Sequence, residues 1–78
     1  MLEELDRAVL LVDLPQQGLK AGDIGTVVMV HNGGQGYTVE FLTLGGDTVA
    51  VETLSAAQVR PVHPDEIAHV RQRTAATA

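Results

Sequence analysis

All 8 glycines of this chain fall between positions 18 and 46. That punctuation constrains the fold more than any other feature. It cuts the middle of the sequence into short runs of strand formers and leaves no room there for a regular helix. Residues 7–13, Arg-Ala-Val-Leu-Leu-Val-Asp, form an apolar run whose length suits a first strand. Pro15, Gly18 and Gly22 then impose a loop over residues 14–23. A second strand is predicted over residues 24–31 and a glycine turn over 32–36, where Asn32 tolerates positive φ. Residues 37–42 alternate, with Tyr37, Val39 and Phe41 on one face and Thr38 and Glu40 on the other. Gly45, Gly46 and Asp47 signal a second hairpin, followed by a strand over residues 48–53 with Val49 and Val51 on one face. Residues 54–58 predict a single turn, in which Ser55 caps and Gln58 stands three places on. Residues 59–62 fit a short fifth strand at a sheet edge, because Pro61 has no N–H to donate.

The end of the chain changes character. Pro64 suits the first position of a helix, Asp65 and Glu66 its first turn, and Arg71 and Arg73 its last. Ile67 and Val70 give it a narrow apolar stripe. The expectation is a short C-terminal helix over residues 64–73 if it docks, or a flexible tail if it does not. Residues 74–78 are expected to fray. The chain therefore divides into a small all-β barrel of five strands over residues 1–62 and a short helical or disordered tail over 63–78. With no Trp, one Phe and one Tyr, the core must come from Val, Leu, Ile and Ala. A domain of this size buries only about 60% of its unfolded surface, so a homodimer would add to its stability.

Several of these residues also carry a resemblance. Residues 9–12, the loop ending in Gly22-Asp23, the run Gly25-Thr26-Val27-Val28 and the late Val59-Arg60-Pro61-Val62 together resemble an SH3-like barrel. The run from Gly22 to Val28 is similar to the Gly-x-x-Gly-x-Val core of the KOW motif. The longer pattern Leu-Leu-Val-Asp-Leu-Pro at 10–15 and Gly-Leu-Lys-Ala-Gly-Asp-Ile-Gly-Thr-Val-Val at 18–28 resembles a bacterial family of small stand-alone proteins of unknown function. That resemblance covers about residues 5–62. It implies an SH3-like fold and no catalytic residues.

Composition narrows the chemistry. With no Cys, disulfides, thiolate metal sites and cysteine nucleophiles are excluded. His63, Asp65 and His69 are too few for a metal centre, and no metal or cofactor is expected. Ser55, the only Ser, reads as a turn cap rather than a nucleophile. Asp13 and Asp23 bracket the first loop, and carboxylates so placed are ordinarily solvated. The Gly33-Gly34-Gln35-Gly36 run opens a strand, not a helix, and is a hairpin connection rather than a phosphate loop. No enzymatic activity is expected. The chain has 10 Asp and Glu against 5 Lys and Arg, and carries a formal charge of -5. It therefore lacks the basic stripe and the stacking rings that nucleic acid demands. The charge either keeps the protein soluble or presents an acidic face to a basic partner. No apolar run spans a membrane and the acidic N-terminus does not suit a signal peptide, so a cytoplasmic protein is expected.

The leading reading is a non-catalytic protein-interaction module docking on a larger protein. It would resemble an antitoxin, an accessory subunit or an enzyme maturation factor. Its candidate contact residues are Leu14, Pro15, Leu19 and Asp23 of the first loop, Tyr37 beside the glycine turn, and Ile67 and Val70 of the tail. Leu14 and Leu19 have an equally good second reading, as caps on the open end of the barrel. The alternative function is a KOW-like nucleic-acid or ribosome-associated module.

Overall fold

The computed structural model describes residues 1–73. Five antiparallel strands, β1 Arg7–Leu10, β2 Ile24–His31, β3 Gly36–Leu42, β4 Thr48–Ser55 and β5 Val59–Pro61, form one sheet in the order β4-β3-β2-β1-β5. Single 3-10 turns occupy Pro15–Gln17 and Ala56–Gln58. The sheet does not close, because β4 and β5 remain its two edges. β5 is short and carries Pro61, whereas β4 is long and bulged, and both devices discourage edge pairing.

β2 shapes the molecule. Its first half pairs with β1, from Thr26 opposite Arg7 to Ile24 opposite Val9. Its second half pairs with β3, from Thr26 opposite Glu40 to His31 opposite Gly36. Val28 is a bulge at the hand-over, where the extra residue bends the strand and increases its twist. Ala8, Leu10 and Val59 from one half-sheet therefore meet Val27, Tyr37, Val39, Phe41 and Leu54 from the other in a single core. Gly25 lies opposite Ala8 at the fold-over. A Cβ on Gly25 would stand 2.5 Å from Val39 Cγ1 and 2.8 Å from the Glu40 carbonyl oxygen. The second glycine of the Gly-x-x-Gly run is thus required by close strand approach. The first, Gly22, is required by its φ of 97°.

The alternation of β3 appears as the sequence predicts, with Tyr37, Val39 and Phe41 all buried. β4 departs from it. A register shift beside Phe41 makes Val49 a bulge, so Phe41 faces Ala50 and Leu42 faces Thr48. The shift reverses the facing of the strand. Ala50 and Leu54 turn toward the core, and Val51, expected to share a face with Val49, is 52% exposed. The turn after β4 forms as expected, with the Ser55 amide donating to Gln58 Oε1 at 2.9 Å.

At the termini, one feature has no signal in the sequence and the other decides between two expectations. Leu2 is buried in the core, 3% exposed. A turn places it there: the Glu3 amide donates to Asp6 Oδ2 and the Leu5 amide to the Val27 carbonyl. Of the two forms expected for the tail, the helix over 64–73 does not form and the irregular one does. Only its first turn appears, with the Glu66 amide donating to the His63 carbonyl at 3.1 Å, and the rest has no regular structure. Ile67 and Val70 find nothing to pack on, and a helix this short is marginal without docking. The expected fraying of 74–78 lies outside the described residues.

Candidate functional site

The first loop is a built platform. Leu14 and Leu19 exchange backbone hydrogen bonds at 3.0 and 3.1 Å around the 3-10 turn, and Gly18 completes that turn at φ 75°. Asp13 Oδ1 accepts the Ala21 amide at 2.9 Å, and Asp23 Oδ2 accepts the Lys20 amide at 2.8 Å. The Gly22 amide and the Asp23 carbonyl bond the loop's end to Leu10. Each of the two loop aspartates thus holds a backbone amide of the loop in place.

Two arginine forks hold the tail, the first to β5 and the second to this platform. Arg60 donates to both oxygens of Glu66, at 2.9 and 2.6 Å, while the His63 amide donates to Glu66 Oε1 at 2.7 Å. The Arg60 guanidinium first, and the His63 amide second, hold the Glu66 carboxyl down at about 2. Farther on, Arg71 Nε donates to Asp23 Oδ1 at 2.8 Å and Arg71 Nη2 to Asp23 Oδ2 at 2.6 Å. The same Nη2 also donates to the Gly18 carbonyl at 3.1 Å. The Asp23 side chain is only 18% exposed. Its burial opposes ionisation, but the hydrogen bonds from Arg71 and the Lys20 amide outweigh that and keep its carboxyl below the ordinary value. A cleft of about 550 Å³ opens between loop and tail, lined by Asp13, Pro15, Gln17, Lys20, Arg71 and Arg73 among others.

The residues singled out in the sequence separate into three groups. Pro15 is exposed on the platform, Leu14 is half-buried beside it, and Asp23 is the acceptor of Arg71. Leu19 and Tyr37 are core residues, 3% and 4% exposed, so neither is available to a partner. Leu19 joins the core cluster and Leu14, to which it is bonded through the backbone, packs against it, in line with their second reading. Tyr37 points inward because it shares the face of Val39 and Phe41. Ile67 and Val70 are 94% and 74% exposed, on an irregular segment rather than a helix stripe. Among the described residues, no three His, Asp or Glu side chains gather as metal ligands. Arg71 is the participant that the sequence did not reveal. It lies 48 positions from Asp23, and as a cation near a chain end it reads only as helix-dipole complementation.

Fold and face together define the class: a small all-β domain with an open five-stranded antiparallel sheet, whose first loop receives an arginine from outside the sheet. The chain belongs to the family described as Domain of unknown function (DUF4926), whose model matches residues 4–61. No curated protein and no solved structure matches it. Asp23, Gly18 and Lys20 lie inside the matched stretch, and Arg71 lies beyond it. Among the described residues no helix is long and apolar enough to cross a membrane.

Proposed function

We propose that this chain is a non-catalytic, cytoplasmic protein-interaction module of the SH3-like kind, docking on a larger protein through the platform of residues 14–23. One observation carries the reading. A non-helical segment of the chain already lies against that platform, held by side-chain hydrogen bonds to a loop carboxylate and a loop carbonyl. A surface that binds one such segment is suited to bind another. The strand order, with a long β2 handed from β1 to β3, supports the SH3-like assignment, since the first long loop of such barrels often borders the partner surface. The formal charge of -5 suits a basic partner, as for an antitoxin-like masking protein, an accessory subunit or a maturation factor.

The test is affinity capture with the tagged full chain from its source cell at moderate salt, beside a Pro15→Asp variant. Pro15 is exposed, so the change alters the platform without touching the core. One stoichiometric protein, lost with the variant, is the expected result. A partner-free eluate overturns the interaction reading. Ribosomal proteins or nucleic acid in the eluate would replace it with the KOW-like alternative.

A further inference from the structure

Arg71 meets the first loop through three hydrogen bonds. Its guanidinium engages both oxygens of one carboxylate side-on and a backbone carbonyl as well. The acceptors are fixed before it arrives. Asp23 is oriented by the Lys20 amide, and the Gly18 carbonyl by the left-handed turn that Gly18 closes onto Pro15. Three acceptor contacts in this fork match the planar donors of arginine, and the point charge of a lysine cannot satisfy them together. All the acceptors lie within the stretch shared with the family, whereas the arginine that fills them lies in the tail outside it.

We infer that Asp23 and the Gly18 carbonyl form an arginine-recognition site, and that Arg71 occupies it in cis in the place of an arginine on a partner protein. This rests on the interaction reading and names the chemistry of the partner: a segment bearing one accessible arginine. Lys20 and Arg73 line the same cleft. Arg73 leaves the cleft with the tail when Arg71 is displaced, so of these two cations only Lys20 stays to face a bound segment. The tail acts as a tethered competitor. A free segment must displace Arg71, which lowers its affinity by the fraction of chains whose site is open.

The experiment uses the full chain carrying Arg71→Ala, which empties the site without touching the core. The probe is a synthetic peptide with the sequence of residues 66–73, alongside versions of that peptide carrying Arg71→Lys or Arg71→Ala. Binding is read from the amide resonances of residues 18–23, and core amides such as Val27 and Val39 report that the fold is intact. The arginine peptide is expected to bind the variant up to about fivefold more tightly than it binds the wild-type chain. It is expected to bind about tenfold more tightly than its lysine version. Adding Asp23→Asn, which keeps an acceptor for the Lys20 amide, is expected to abolish the difference between the arginine and lysine peptides. Equal binding of the arginine and alanine peptides, or no shift at residues 18–23 in a folded variant, overturns the arginine site. If that happens while affinity capture still yields a partner lost with Pro15→Asp, the module reading stands and only its chemistry is wrong. If capture also fails, both fall.

Discussion

The fold-over at Gly25 and the contact of the tail with the first loop are built from opposite materials. At Gly25, backbone comes so near Val39 and the Glu40 carbonyl that no side chain fits, and the side chains it meets, Val39 and Phe41, are apolar and dry. In the tail, two arginine forks hold partly exposed chain in place, one to β5 through Arg60 and one to the first loop through Asp23, with Ile67 and Val70 contributing no burial. Burial is non-directional and cumulative, so the core resists any single loss poorly but holds its shape absolutely. Partly exposed ion pairs are directional and weak, so the tail is placed without being locked. The contrast separates the part of the molecule that stabilises from the part that is free to exchange partners.

The largest effect should come from the centre of the dry region. Phe41 is the largest of the fully buried side chains. Phe41→Ala is expected to cost about 3–5 kcal/mol, most or all of the stability of a small domain. Denaturant unfolding followed by circular dichroism checks it, and a loss below about 1 kcal/mol would mean the core is not packed as described. Gly25→Ala should follow, at about 1–3 kcal/mol, because the added methyl must push Val39 and the β3 backbone away. A neutral result there would show that β2 and β3 approach less closely than in the structure.

The sequence made the dry region legible and left the polar one dark, for a physical reason. Alternation in residues 37–42 reports directly which side chains turn inward, since the period of a strand is two. Glycine positions report the turns by the same local logic. The bulge at Val49 shifts that period by one, and no local signal marks it, so alternation puts Val51 on the face of Val49 whereas Val49 packs against the core and Val51 lies outside. Leu2 sits among acidic neighbours, with no pattern to announce its burial. The forks are harder still. Arg60–Glu66 spans a turn that begins as a helix would, with Glu66 three places after His63, and reads as a helix start. Once Glu66 is engaged by Arg60 and the His63 amide, nothing apolar follows to extend the helix. Arg71–Asp23 is purely tertiary, and a lone cation in a tail carries no address.

A third substitution separates the regions directly. Arg71→Ala removes one fork and leaves the core intact. It should lower global stability by no more than about 1 kcal/mol, because the pair is partly exposed and screened. It should nevertheless change the amide resonances of residues 18–23 and quicken exchange along 64–73. A drop comparable with that of Phe41→Ala would mean the tail is part of the fold rather than an appendage to it.

Acid sharpens the comparison without any substitution. Among the described residues the core holds no buried Asp, Glu, His, Lys or Arg, so no core side chain changes charge in acid. The Glu66 carboxyl is held at about 2, below the 4.5 of a free glutamate, and Asp23 is also held low. A depressed carboxyl contributes its full stabilisation above its ordinary value and loses it as the pH falls through the folded value. The Arg60–Glu66 fork is therefore expected to stay closed down to pH 4.5, weaken below it and be gone below about 2. The His63 amide, which donates to Glu66, reports this transition in a pH titration by NMR. Arg60→Ala should move its midpoint up toward 4.5, while the resonances of Val39 and Phe41 stay fixed until the whole domain unfolds. A wild-type midpoint already near 4.5 would show that the first fork does not hold in solution. The anchoring of the tail would then rest on Arg71 alone.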